Sequence, residues 1–123
     1  MILQEMIISL SAALTLLTNS LISAPVDFLL TKSVQAEISA YTAHPAETDD
    51  TPNITASGAP VFNGLIANNC LPFGSLVMVQ NKVYAVFDRM NPRYDCNAYD
   101  IFMPDKKSAL EWGRRKLEVK ILK

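Results

Sequence analysis

Ser75-Leu-Val-Met-Val-Gln-Asn-Lys-Val-Tyr-Ala-Val-Phe87 decides the fold class. Two runs rich in β-branched and aromatic residues, 75–79 and 82–87, flank Gln80-Asn81, and this pattern predicts a hairpin. Working toward the C-terminus, Tyr99-Asp-Ile-Phe-Met103 reads as another strand. Arg115-Lys-Leu-Glu-Val-Lys-Ile-Leu122 alternates cleanly, with Leu117, Val119 and Ile121 on one face, and predicts a closing strand. Between them Asp105 is placed to cap a short helix, 106–112, that ends at Gly113. Toward the N-terminus, Gly64-Leu-Ile-Ala67 is a short strand and Glu37-Ile-Ser-Ala-Tyr-Thr42 an alternating one.

The intervening segments are turns and loops. The polar stretch 43–53 continues into the turn Thr55-Ala-Ser-Gly58, and is long for so small a domain, a feature often tied to function. Leu71-Pro-Phe-Gly74 is a turn, and residues 88–97 form a second irregular loop. About six strands and one short helix in under ninety residues give a mainly β domain. Short strands joined by long crossing loops suit a closed barrel, which leaves no sheet edge exposed.

The chain has 123 residues, enough for one domain. Its apolar half is unevenly placed. Residues 6–30 are almost free of charge and read as a hydrophobic leader helix, so residues 1–36 are assigned to a signal peptide or membrane anchor and 37–123 to the barrel domain. Val34-Gln35-Ala36 offers the small-residue pattern of a signal-peptidase site, with cleavage before Glu37. The start lacks Lys and Arg, and the apolar run approaches bilayer-spanning length, so a retained anchor stays open beside cleavage. A membrane contact is expected only through an uncleaved leader. The expected location is secreted or cell envelope.

From Glu37 onward ten acidic and ten basic residues balance, which removes the basic stripe that nucleic-acid binding needs. Cys70 and Cys96 both fall in the folded part. A disulfide between them and a pair of free thiols both stay open on sequence alone. No Cys-x-x-Cys, phosphate loop or dinucleotide glycine fingerprint is present, and no cofactor is expected. No metal is expected either: Asp49, Asp50 and Asp95 match no EF-hand spacing. The single histidine, His44, has no nucleophile elbow to serve. A monomer is expected.

The acids carry the chemistry. Asp88 lies at the exit of one strand, and Asp100 lies inside another, between Tyr99 and Ile101. A carboxylate within an apolar strand is costly unless it is partnered or functional. Apolar neighbours would raise its pKa and hold a proton ready for donation. The plainer reading places Asp100 on a solvent-facing side, with Phe102 sharing that face.

Ala40-Tyr-Thr-Ala43, Thr55-Ala-Ser-Gly58, Leu71-Pro-Phe-Gly74, Val86-Phe-Asp-Arg89, Tyr99-Asp-Ile-Phe102 and Ala109-Leu-Glu-Trp-Gly113 occur in this order. The set resembles the three-aspartate (3D) domain, a six-stranded double-psi β-barrel found in membrane-bound lytic transglycosylase A. Leu-Pro-Phe-Gly and Asp-Arg also resemble the barrel of rare lipoprotein A. The resemblance covers nearly all of residues 37–123.

It implies a lytic transglycosylase acting on peptidoglycan glycan strands. Asp100 would be the catalytic acid and base, protonating the glycosidic oxygen and then taking a proton from the sugar's own 6-hydroxyl. Asp88 would orient or tune it. The family's first aspartate is replaced here by Asn68 or Asn69, expected to hold a sugar hydroxyl, and the loop after Asp88 departs from the family's Asp-Thr-Gly-Gly. Thr55 and Ser57 of the Thr-Ala-Ser-Gly turn are expected at the substrate. Tyr41, Tyr94 and Tyr99 are candidates for sugar stacking, with core packing as the alternative. Arg89 and Arg93 are candidates for peptide carboxylates, or for ion pairs with Asp88 or Asp95. Two other functions stay open. One is a non-catalytic wall-binding or structural module. The other is a glycosidase using water, with Asp100 paired to Asp88 or Asp95.

Overall fold

The computed structural model describes residues 30–43 and 53–122. The hydrophobic leader lies outside the described residues, as do His44, Asp49 and Asp50. Among the described residues no helix is long and apolar enough to cross a membrane.

Six strands and one helix follow in the order β1 (Leu30–Tyr41), β2 (Leu65–Ala67), β3 (Leu76–Val79), β4 (Lys82–Asp88), β5 (Ala98–Phe102), α1 (Lys106–Trp112) and β6 (Arg115–Leu122). They close into a barrel in the order β1-β5-β2-β4-β3-β6. The expected mainly β barrel with one short helix is therefore found.

Local chemistry explains the elements. Gln80 and Asn81 both take positive φ, 49° and 66°, the geometry of the two-residue turn that matches strand twist. The Asp105 side chain accepts from the Ser108 N–H at 2.7 Å and caps α1. Gly113 at φ 66° ends the helix, its N–H donating to the Ala109 carbonyl. The Trp112 indole then donates to the Ile38 carbonyl at 3.0 Å and fixes the helix end against β1.

Strand alternation separates two apolar clusters. Ala36, Ile38, Ile66, Val77, Val79, Val86, Tyr99, Ile101 and Val119 fill the main core. Tyr41, Leu65, Ala67 and Phe102 form a second cluster with Ala43, Val61, Phe62, Phe87 and Met90. On β2 the two sets alternate residue by residue, and on β5 Ile101 and Phe102 fall in different sets, as expected where both strand faces are covered. The cover over the second face includes residues 53–62, which fold on themselves through a bridge between Ile54 and Pro60.

β1 differs from its sequence reading in length. It starts at Leu30 instead of near Glu37. Ala36 is buried in the main core and Val34 packs against it, so the small and apolar residues read as a cleavage motif also supply barrel packing.

Cys70 and Cys96 form a disulfide with their Cα atoms 5.3 Å apart. It ties the segment after β2 to the loop before β5.

Candidate functional site

Four strands bring the site together along one line of the barrel. β1 and β5 run parallel with Ser39 opposite Asp100. β5 and β2 run antiparallel with Asp100 opposite Ala67. β2 and β4 run parallel with Ala67 opposite Asp88, after a register shift between Ile66 and Ala67. The two aspartates thus flank a buried alanine, two strand spacings or about 10 Å apart at the backbone. The small Ala67 side chain leaves room between them. The irregularity beside it re-aims the chain, a device common next to functional sites.

Asp88 is firmly held. Its Oδ1 accepts from the Ala56 N–H at 2.8 Å and the Arg89 N–H at 2.9 Å. Its Oδ2 accepts from the Tyr41 hydroxyl at 2.7 Å. Ser57 N–H donates to the Phe87 carbonyl, so the Thr55–Gly58 turn is fastened to the end of β4 by both side chain and backbone. Burial, then the hydrogen bond to Asp88, then the charges of Asp88 and Asp100, push the Tyr41 phenol far above its ordinary pKa. Tyr41 therefore stays a proton donor, and its position places a permanent hydroxyl within the field of both acids.

Asp100 is half-buried, while its neighbours Ala98, Tyr99, Ile101 and Phe102 are all buried. Ser39 Oγ donates to its Oδ1 at 3.2 Å. Phe102 does share its face, and it packs edge-to-face on Tyr41 with ring centres 5.8 Å apart. The plainer expectation of a solvated strand face fails here, because that face carries the second apolar cluster.

The structure gives several residues expected at the substrate a different setting. Tyr99 is 1% exposed and sits in the main core, where burial raises its pKa, so its ring offers no face for stacking. Tyr41 is 8% exposed and spends its hydroxyl on Asp88. Thr55 is buried and shares a 2.7 Å hydrogen bond with Ser57, whose side chain is half-buried.

Asn68 is fully buried and its amide is saturated. Nδ2 donates to the Cys96 and Ala98 carbonyls, each at 3.0 Å, and Oδ1 accepts from the Cys70 and Leu71 N–H groups, each at 2.9 Å. Asn69 does the same for the next loop, donating to the Asn91 and Tyr94 carbonyls and accepting from the Met90 N–H. Both asparagines act as brackets for backbone. Arg89 lies 3.9 Å over the Phe73 ring and donates to the Asn68 carbonyl at 2.9 Å, which engages its guanidinium within the fold. The expected ion pair of Arg89 with Asp88 is replaced by a bond from the Arg89 backbone.

Sequence reasoning missed Ser39 and Ala67. Neither carries a local signal. Both matter through parallel pairing of strands far apart in the chain, which alternation alone does not reveal.

No family model matches the chain. It is 32% identical over 87 residues to a protein of Bacillus subtilis (strain 168) named "Putative cell wall shaping protein YabE". That match covers 66% of this chain and 21% of the relative, so the chain spans about a fifth of the relative's length. Among solved structures, MltA from E. coli is similar over 63% of this chain and 29% of its own, with a TM-score of 0.48 and 15% identity.

Proposed function

We propose that this chain is an exported, peptidoglycan-directed barrel that cleaves glycan strands by lytic transglycosylation, with Asp100 as general acid and base. One observation carries the reading: Asp100 and Asp88 meet on one line across Ala67, with the Tyr41 hydroxyl bound to one acid and within the field of the other. The sequence similarity to a protein named for cell-wall shaping supports the substrate class. The proposal includes a double-psi connection of the strands and an extracytoplasmic location.

Asp100 would protonate the glycosidic oxygen. The resulting carboxylate would then accept the proton of the sugar's 6-hydroxyl as that oxygen closes on the anomeric carbon. Proton and electron pairs balance without water or a second nucleophile. Ser39 steadies one oxygen of Asp100. Asp88 holds Tyr41 and the Thr55–Gly58 turn in place, an orienting role.

A second reading has its own support. The position expected for the family's first aspartate is an asparagine pair committed to backbone, which suits a wall-binding module without turnover.

The test is to incubate the full chain, as wild type and as Asp100→Asn, with purified peptidoglycan and to analyse soluble products by mass spectrometry. Anhydro-sugar ends from the wild type alone are expected. Ordinary reducing ends would replace this chemistry with hydrolysis. No products from folded wild type that still sediments with the wall would leave the binding module.

A further inference from the structure

Asp100 does not stand alone on its face. Two residues earlier on β5, about 7 Å along the strand, Ala98 points the same way. Ala98 pairs with Glu37 of β1, as Asp100 pairs with Ser39. A cleft of about 620 Å³ opens at this row, lined by residues that include Glu37, Arg93, Tyr94, Asp95 and Lys116 as well as Ala98.

The charges in this cleft are unequally spent. Glu37 is paired with Arg114, Nη1 to Oε1, at 2.9 Å. Asp95 turns Oδ1 to the Asn97 N–H at 2.9 Å. Arg93 donates through Nη2 to the neutral Tyr94 hydroxyl at 3.0 Å, with its guanidinium 4.9 Å from the Tyr94 ring centre. No carboxylate among the described residues pairs with Arg93 or Lys116. The hydrogen bond from Arg93, with the charges of Arg93 and Arg114 nearby, holds the Tyr94 phenol below its ordinary pKa.

We infer that this cleft binds a carboxylate-bearing peptide attached to the glycan, with Arg93 and Lys116 as its ligands and Tyr94 as the surface beside them. The inference rests on the glycan reading of Asp100, since the cleft continues the same face of the same strand. A guanidinium presents a planar fork that matches a carboxylate, and an ammonium adds a point charge. A stripped sugar chain offers these cations only the lactyl carboxylate held close to its own ring. Of the cleft's acids, Glu37 is paired with Arg114, and Asp95 keeps its charge while turning Oδ1 to the Asn97 N–H, so Arg93 and Lys116 outnumber it two to one. The site would thus select peptide-substituted strands over stripped ones and set the position at which Asp100 meets the chain.

The test uses the full chain carrying Asp100→Asn, so that cleavage does not disturb binding. Its sedimentation is measured with purified peptidoglycan and with the same glycan stripped of its peptides by an amidase, the lactyl carboxylates so exposed being capped as neutral amides. Binding to the peptide-bearing material is expected to be about tenfold tighter, the loss typical of one charge-assisted contact. The preference should shrink as salt rises. Adding Arg93→Gln and Lys116→Gln should abolish it; both side chains are exposed, and an unchanged melting temperature confirms that the fold is intact. Equal binding to the two materials, or a preference that survives the double substitution, overturns the inference. Glycan cleavage by the wild type is scored separately, so loss of the catalytic reading and loss of the peptide site give different results.

Discussion

Replacing Asn68 by alanine should remove about 4 kcal/mol of stability, although the residue touches nothing outside the protein. Four hydrogen bonds are lost at once, two to carbonyls and two from N–H groups. Each such bond contributes about 1 kcal/mol net. The Ala98 carbonyl bond is buried and its orphaning costs more, whereas groups nearer the surface regain part of the loss by hydration. In a domain of this size the melting temperature should fall by about 15–30 °C. Thermal and urea unfolding, followed through the single Trp112 under oxidising conditions, reads the effect. Asn68→Asp provides the second arm. It keeps the shape and both accepted bonds, but sets a carboxylate against the Cys96 and Ala98 carbonyls. Its folded-state pKa should rise above the unfolded value of about 3.9. Stability is then retained below that value and lost as pH rises through the folded pKa. The aspartate variant should therefore stand closer to wild type at acid pH than at neutral pH. A melting temperature lowered by less than about 5 °C in the alanine variant, or an aspartate variant indifferent to pH, would refute the bracket assigned to Asn68.

Five further outcomes are expected. Asp88→Asn should cost about 2–4 kcal/mol, because an amide cannot accept on both sides from Tyr41, Ala56 and Arg89; Asp100→Asn should stay within about 1 kcal/mol of wild type in urea unfolding while losing turnover. Tyr41 has a folded pKa raised above its unfolded value of about 10, so its contribution to stability is whole below that pH and declines above it by about 1.4 kcal/mol per pH unit; Tyr41→Phe should remove that share of the alkaline slope. Substituting both Cys70 and Cys96 by serine opens a loop of sequence separation 26 and should cost about 3.5 kcal/mol, measured as a urea midpoint shift without reductant. A chain that begins at Glu37 lacks Val34 and Ala36 and should melt well below one that begins at Leu30; equal melting temperatures would return the barrel's boundary to residue 37.

Most strands were legible because their signals are local. The helix and β6 fall where capping and alternation placed them, since Asp105, Gly113 and the Leu117-Val119-Ile121 face act over a few residues. The hairpin was legible although neither turn residue is glycine, because the flanking runs are strong. β1 was read short. Its first half is interrupted by Lys32, Ser33 and Gln35, and its packing depends on barrel closure instead of on its own pattern. The acids were legible as anomalies of polarity. The roles of Asn68, Asn69 and Arg89 were not, because a side chain that brackets backbone looks the same in a sequence as one that waits for a ligand. Tyr99 shows the same limit: its alternation with Asp100 is plain, but which of the two faces the core depends on strands 33 and 61 residues away.

The distribution of donors separates the two acids and bears on the chemistry. Hydrolysis by paired carboxylates needs each to change its protonation or bonding during the cycle. Asp88 is badly placed for that. Protonating it would remove the charge that strengthens its bonds to two N–H groups and a hydroxyl, and would loosen the turn that closes over the second cluster. A mechanism that moves one proton out and another back through Asp100 leaves Asp88 and its donors undisturbed throughout. On the proposed reading, the bonding of Asp88 suits a reaction in which the sugar supplies its own nucleophile.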